Sequence, residues 1–485
     1  MSIFSIKSKH MNYRAFLISL FVLLAVHLMA QGQLSFEKTY GGIDDDFGIQ
    51  ARPGANNKYI VAGMTTDYTT GDFAIYLLCV DQNGDTIWTR TINHPNQDDI
   101  GQVAIPAYDG SYVFAANYYG NPYTNGLLKF TSTGDSVWTY QNSGLLNNYS
   151  TVAAVQSPDS GYVMTGYSSS SMYNSHMFIQ KNDASGNYMW QKDYITTGFD
   201  YGLGIDNTPD GGFIICGIKD PPGEDKDAFL MKTNSAGVKE WEKLYRITAG
   251  LTMAQCVRSV PSGGYVFCGT RYVEVDIGDV EIVKTDENGN VEWLKTYGGS
   301  LRDRGVAVDC VAGGGYIILG ETESFGHGNG DFDLYLIRTD ENGDTLWTKT
   351  FGGPFQEGGG SVYQTPDGGF LVCGYTRSFG SGGADVYLIK TNENGVVTSM
   401  PDVDIRERKL AIRPNPARGI VSITSSVPVS SYQITDIRGR EMTKGEALEA
   451  HIPVTIDISN YSEGLYLFRF CTETGIFCEK MLKIK

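Results

Sequence analysis

The chain has 485 residues, enough for two to four domains, and combines 59 Gly and 30 Tyr with only 16 Pro. That balance favours many short strands joined by tight turns and argues against collagen-like or disordered classes. A formal net charge of −17 gives a surface that repels nucleic acid and anionic lipid and attracts cations.

Residues 1–30 read as a secretory signal. Lys7, Lys9 and Arg14, with no acid among them, precede the apolar run AFLISLFVLLAVHLMA, which His27 interrupts. The run is short for a membrane span of about 20 residues. Cleavage is expected between Ala30 and Gln31. No Cys stands at the cleavage point, so a lipid anchor is not expected, and no later stretch is apolar enough to cross a bilayer.

From residue 31 to 398 the chain repeats itself. Trp88, Trp138, Trp190, Trp241, Trp293 and Trp347 recur at intervals of 50 to 54 residues, and Phe36 occupies the same slot before Trp88. Each unit holds four strand-like segments, A to D, with period-two alternation. Strand A ends at a Gly-rich turn such as Pro-Asp-Gly-Gly, strand B leads to a variable loop, and strand C turns through Asn-Gly into the strand D that carries the Trp. Four strands at this spacing predict an all-β propeller. A–B–C sets begin near residues 45, 98, 149, 200, 252, 303 and 357, which makes seven blades. Only six are followed by their own strand D, and residues 34–40 supply the seventh, closing the last blade with the first strand of the mature chain.

Within the repeats, Lys129, Lys181, Lys232, Lys284, Arg338 and Lys390, with Cys79 in the first unit, sit five residues before the C–D turn Gly. Asp227, Asp279, Asp333 and Asp385 sit ten before it. These are read as partners of turns or neighbouring blades, and the Trp residues as packing between blades. Cys216, Cys268 and Cys373 precede a Gly at one position of three repeats, a small-residue core slot that suits free thiols. Asp46, Asp99, Asp200, Asp303 and Glu357 stand two residues before a Gly at the entrance to strand A. They either ring an axial channel, where calcium would suit them, or hydrogen-bond their own loops. No cofactor is otherwise expected. The loops opposite the short turns carry Tyr118, Tyr119, Tyr123, Tyr173, Tyr272, Phe325, Phe355 and Phe379, aromatics suited to a glycan or a protein partner. His94, His176, His327 and His451 match no metal spacing, and neither a G-x-S-x-G elbow nor a phosphate loop is present.

Residues 399–409 break the repeat as a linker. Beyond them, residues 410–485 alternate again as short strands: LAIRPNP, GIVSITS, SYQITDIRG, VTIDIS, GLYLFRF and FCEKMLKIK. A two-residue turn at Thr474-Gly475 would set Cys471 opposite Cys478 and let them bridge.

This last region resembles the type A C-terminal sorting domain of the Bacteroidetes type IX secretion system. The residues that carry the resemblance are Pro414-Asn415-Pro416 followed by Gly419, then TDIRGRE with Gly439, the IDIS segment, SEGLYLFRF with Gly464 and Tyr466, and a terminal KMLKIK. Arg413 stands where the family usually has an aromatic. The resemblance implies a small Ig-like β-sandwich, the type IX machinery as a partner, passage through the periplasm, and a product released or held at the cell surface. The repeats resemble delta-60-like and quinoprotein-like propeller repeats, but the C–D turn is one residue shorter than the quinone-enzyme pattern, and the sialidase Asp-box spacing is not met. Asp85-Thr86-Ile87, Asp135-Ser136-Val137 and Asp344-Thr345-Leu346 resemble the acceptor motif for Bacteroidetes O-glycosylation at Thr86, Ser136 and Thr345. The expected function is a secreted or surface-attached, non-catalytic propeller that binds a glycan or protein. The alternatives are a polysaccharide lyase or glycosidase using carboxylates of the variable face, and a purely structural surface module.

Overall fold

A computed structural model describes residues 34–398 and 410–484, apart from residues 67–70, 96, 121–122, 143–147, 172–173, 196–197, 221–225, 246–251, 275–276, 328–330, 382, 414–416, 426–427, 437–439, 450–453 and 473–474. The expected signal segment and its cleavage point at Ala30 and Gln31 lie outside the described residues. The chain divides into two compact units within the expected linker 399–409, which is also outside them. No described helix is long and apolar enough to cross a membrane.

The repeats of the first unit fold as antiparallel four-stranded sheets, in the arrangement of a β-propeller. The first sheet runs Asp46–Pro53, Tyr59–Thr66, Phe73–Val80 and Thr86–Ile92, the second Asp98–Pro106, Tyr112–Tyr119, Thr124–Phe130 and Ser136–Gln141. The third (Asn148–Gln156, Tyr162–Ser171, Asn174–Asn182, Tyr188–Tyr194) and the fourth (Phe199–Asn207, Phe213–Asp220, Asp227–Thr233, Lys239–Tyr245) are joined by one parallel pairing, Ser175 with Phe199. The fifth holds Thr252–Ser259, Tyr265–Glu274, Ile277–Thr285 and Val291–Tyr297, the sixth Asp303–Cys310, Tyr316–Thr322, Asp333–Thr339 and Thr345–Phe351. The last sheet has Glu357–Gln364, Phe370–Thr376 and Asp385–Thr391, and its outer strand is Phe36–Tyr40, paired in register from Phe36 opposite Lys390 to Tyr40 opposite Val386. Strand A of each sheet packs against the sheet before it, and that of the first packs against the last.

One contact repeats at every junction. The strand-D aromatic lies on the C–D turn Gly of the next sheet: Phe36 on Gly84, Trp88 on Gly134, Trp138 on Gly186, Trp190 on Gly237, Trp241 on Gly289, Trp293 on Gly343 and Trp347 on Gly395. A β-carbon at Gly134 would fall 2.7 Å from the Trp88 indole. These glycines also have positive φ, 70° to 84°, which a side chain adopts only at a cost. A Tyr four residues beyond the aromatic often completes the contact. Tyr40, Tyr194 and Tyr297 donate their hydroxyl to the carbonyls of Gly84, Gly237 and Gly343 at 2.6 Å, and Tyr245 to that of Gly289 at 2.8 Å.

The C–D connection is longer than the two-residue Asn-Gly hairpin expected. Gly84 donates to Asp81 O at 3.0 Å, Asp81 donates to Asp85 O at 2.9 Å, and a bulge follows Cys79. Asn83 keeps negative φ and only Gly84 turns left-handed. The Asp81 carboxylate fixes the loop by accepting from the Asn83 and Asp85 amides at 2.8 and 2.9 Å.

The strand-C cations serve their own sheets. Lys129 meets the A–B turn carboxylate Asp109 at 2.7 Å, Lys232 meets Asp210 at 2.7 Å, Lys390 meets Asp367 at 3.0 Å, and Lys181 pairs with Asp159. Burial works against charge on Asp109, but Lys129 and Ser111 outweigh it and hold the carboxyl at about 2. Cys216, Cys268 and Cys373 are fully buried, as the small-residue slot requires.

The second unit has two antiparallel sheets. One orders Leu410–Arg413, Ile420–Ser425 and Val454–Asp457, the other Glu441–Leu448, Val429–Asp436, Gly464–Thr472 and Gly475–Lys483. Val421, Ile423, Ile434, Phe468, Phe470 and Met481 form the shared core. Strand Glu441–Leu448 was not anticipated: EMTKGEAL has no run of β-branched residues, and it is held as an edge strand by its neighbour Val429–Asp436. The expected Cys471–Cys478 alignment is corrected. Thr472 pairs with Gly475, so Cys471 stands opposite Ile476 in the register and Cys478 opposite Arg469. The two cysteines are diagonal neighbours, about 7–8 Å apart at Cα, beyond ordinary disulfide reach, and Cys471 is a free thiol.

The junction contact separates two costs experimentally. Gly110 has φ +80° with open space around it, whereas Gly134 has φ +84° and lies under Trp88. Gly110→Ala should therefore lose only about 1 kcal/mol of conformational preference. Gly134→Ala should lose about 2–4 kcal/mol, because it must also displace the indole. Denaturant midpoints of the two variants check this, and equal losses would remove the junction contact from the account.

Candidate functional site

Every strand A carries a β-bulge at the same place. The register shifts between Gly48 and Gln50, Gly101 and Val103, Thr151 and Ala153, Gly202 and Gly204, Ala254 and Cys256, Gly305 and Ala307, and Gly359 and Ser361. The extra residues, Ile49, Gln102, Val152, Leu203, Gln255, Val306 and Gly360, all line one axial cavity of about 250 Å³. A bulge turns its unpaired residue away from the ladder, so these form a mostly apolar collar. Beside it, the Arg52 guanidinium lies 4.1 Å from the Tyr363 ring centre and that of Arg258 lies 5.1 Å from it. Arg258 donates to the Tyr363 hydroxyl at 2.9 Å and pairs with Asp309 at 3.4 Å. The charges are balanced within the protein, which suits a rigid axis better than an ion site.

The five carboxylates at the entrances to strand A are buried, and Asp46, Asp99, Asp303 and Glu357 hydrogen-bond their own loops. Asp46 accepts from the Gly42 amide at 2.8 Å, Asp303 from the Gly299 amide at 2.8 Å and from Ser324 Oγ at 2.7 Å. Glu357 accepts from the Gly353 amide at 3.1 Å and Thr376 Oγ1 at 2.6 Å, and Asp99 from the His94 amide and Gln97. Asp200 is likewise buried. Among the described residues no three His, Cys, Asp or Glu side chains come together as a metal would need, so the five form no ring of ligands. The strand-C carboxylates join them in pairs instead: Asp385 with Asp46 around Gly41, Asp279 with Asp303 around Gly298, and Asp333 with Glu357 around Gly352. Burial and the nearby Asp303 raise the Asp279 carboxyl. On the same face of its strand, Glu281 is buried with neither oxygen hydrogen-bonded, and burial lifts it to about 7 against the pull of Arg271.

The expected aromatics do not gather. Tyr118 belongs to the core between sheets, because it continues the inward alternation of strand Tyr112–Tyr119. Tyr119 and Tyr123 meet edge to face at 5.2 Å, Phe325 lies against Tyr335, and Phe355 is exposed. Tyr272 and Phe379 are half-buried, and Tyr173 is outside the described residues.

A larger cleft, of about 770 Å³, opens at the other end, between the A–B and C–D turns of the fifth and sixth sheets. Two turn carboxylates are missing beside it. Where four other sheets place Asp109, Asp159, Asp210 and Asp367, these two have Ser262 and Gly313. Deprived of a turn carboxylate, Lys284 reaches Gly263 O at 3.0 Å and Glu292 at 2.8 Å, and Arg338 reaches Gly314 O at 2.7 Å. The cleft is lined by Trp293, Tyr316, Asn288 and Asn342, with the exposed carboxylates Glu287 and Glu341 at its edge. An aromatic wall with carboxylate and amide groups can stack on an apolar ring face and accept from hydroxyls or cations. The sequence signal was present as the two turns that depart from Pro-Asp-Gly-Gly. Thr86, Ser136 and Thr345 are exposed at the starts of their outer strands, where a modifying enzyme could reach them.

In the second unit, Tyr466 is buried and donates to Ser462 O at 2.8 Å, Gly464 has φ +147°, and Gly419 O accepts from the Ile458 amide at 2.7 Å. Pro414, Asn415, Pro416 and Gly439 are outside the described residues.

No curated protein matches the chain. Among solved structures, the β-propeller domain of the Trilobed protease from Pyrococcus furiosus is similar at 8% identity and a TM-score of 0.41, over 76% of this chain and 99% of that one. The Pan2 WD40 domain of Neurospora crassa is similar at 8% identity and 0.43, over 71% and 88%, and a polysaccharide lyase, an ulvan lyase, at 11% and 0.44, over 74% and 97%. Residues 411–484 match the family of secretion system C-terminal sorting domains, so the protein is a β-propeller exported by the type IX secretion system and is secreted or attached at the outer-membrane surface.

Proposed function

We propose that the mature protein is a non-catalytic, seven-bladed propeller that holds an extracellular glycan or protein ligand, followed by an Ig-like sorting domain and preceded in the precursor by a cleaved signal segment. The observation that carries the reading is the cleft between the fifth and sixth sheets, where the two turns lack the usual carboxylate and the half-buried Trp293 lines the space together with the exposed Glu287 and Glu341. Polar rims around an aromatic anchor are a common way to hold a sugar or a peptide side chain. Calcium is not required by this reading, and the glycan-acceptor hydroxyls Thr86, Ser136 and Thr345 remain available on the outer strands. A second reading, a polysaccharide-active enzyme, draws support from Glu281, whose raised carboxyl beside Asp279 resembles a general acid. It would require substrate access to a side chain that is 1% exposed.

The cleft can be perturbed by restoring the repeat. Ser262→Asp recreates the Pro-Asp-Gly-Gly turn and gives Lys284 the partner that Lys232 already has. In a glycan and extracellular-protein binding array, the exported protein should bind a ligand that Ser262→Asp weakens at least tenfold without loss of stability. Binding unchanged by that substitution would move the ligand elsewhere. Turnover of a polysaccharide, abolished in Glu281→Gln, would replace the binding reading with the enzymatic one.

Export supplies a separate test. A chain lacking residues 410–485 should accumulate in the periplasm of a type IX-competent host, while the full chain reaches the medium or the cell surface. Normal export of the truncated chain would contradict the sorting role.

A further inference from the structure

Strand A and strand B of each sheet place one residue pair directly opposite at the position just after the bulge. The pairs are Gln50 with Ala62, Val103 with Ala115, Ala153 with Thr165, Gly204 with Cys216, Ala307 with Leu319, and Ser361 with Cys373. In the fifth sheet the same position brings two thiols together, Cys256 opposite Cys268. Directly opposed residues of an antiparallel pair share a face and have Cα atoms about 4.5–5.5 Å apart, inside the range a disulfide spans. Cys256 also lines the axial cavity, and Arg258 beside it favours the thiolate. Cys256, Cys216 and Cys310 each reach a backbone carbonyl, Val308 O at 3.6 Å, Ala254 O at 3.5 Å and Ser259 O at 3.8 Å, and of these three only Cys256 has another thiol directly opposite on its paired strand.

We propose that Cys256 and Cys268, free thiols in the unexported chain, become a cross-strand disulfide during passage through the periplasm. That compartment oxidises dithiols. The exchange takes place as the sheets assemble, before the strands close around the axis: the Cys256 thiolate attacks the disulfide of a protein thiol oxidant and forms a mixed disulfide. The Cys268 sulfur, losing its proton, then displaces the oxidant as a dithiol, so two thiols lose two electrons and two protons and one S–S bond forms. The bond staples the inner two strands of the sheet that forms one wall of the ligand cleft. It adds a covalent constraint where the other sheets have only packing.

The test uses full-length protein recovered from outside a type IX-competent host, denatured and alkylated without reductant. Peptide mass spectrometry should find the Cys256 peptide linked to the Cys268 peptide, and the link should disappear on reduction. Reductant should lower the thermal midpoint of the wild-type protein but leave that of the Cys256→Ala, Cys268→Ala double variant unchanged. Alanine already occupies the strand-B slot as Ala62 and Ala115, so the variant is expected to fold. Alkylation of both cysteines in exported material, or a link from Cys256 to Cys216 or Cys310, would overturn the proposal.

Discussion

The first unit depends on an aromatic ring lying on a glycine of the next sheet. Each C–D turn needs a left-handed residue, and Gly supplies it without a side chain. The bare backbone then accepts the indole or phenyl ring of the preceding outer strand. Turn geometry and inter-sheet packing are thus met by one residue. The consequence reaches the N-terminal strand: Phe36 and Tyr40, hydrogen-bonded into the last sheet, bear on Gly84 of the first. The outer strand of the last sheet is therefore joined to the first sheet by the same contact used between sequential neighbours, which explains why the repeat begins out of phase.

Charge is organised around that frame. Lysines of strand C are buried with a partner in each case: a turn carboxylate for Lys390, which meets Asp367, and Glu292 with the Gly263 carbonyl for Lys284; a buried ammonium without a partner would be costly. Where the turn carboxylate is absent, the cation bonds the carbonyl of the A–B turn itself, Gly263 for Lys284 and Gly314 for Arg338, and the cleft lies beside these two turns. The repeat thus defines a default, and the two sheets that depart from it carry the site. Sorting information is kept apart, in a domain with its own core.

Much of the fold was legible in the sequence. Trp spacing located the outer strands, the count of A–B–C sets predicted the role of residues 34–40, and the Lys and Asp positions pointed to turn pairing. What escaped has physical causes. The bulge residues Ile49 to Gly360 follow small residues that read as ordinary strand, since a bulge changes register without changing composition. Tyr118 looked like a loop aromatic because strand Tyr112–Tyr119 runs further than its turn signals suggested. EMTKGEAL lacked alternation because an edge strand buries little. The cleft is hard to read from sequence because its two turns are marked by what Ser262 and Gly313 lack, whereas the loop aromatics and the strand-A carboxylates, most of which cap their own backbone, are conspicuous.

The central claim, that the N-terminal strand is an integral outer strand joined by the same aromatic–glycine contact as the others, is tested most directly by native-state hydrogen exchange. If it holds, the hydrogen-bonded amides of Phe36–Tyr40 exchange with the same protection as those of the outer strand Thr86–Ile92 and together with Asp385–Thr391. Exchange of Phe36–Tyr40 at the rate of an exposed loop, with Asp385–Thr391 still protected, would contradict it.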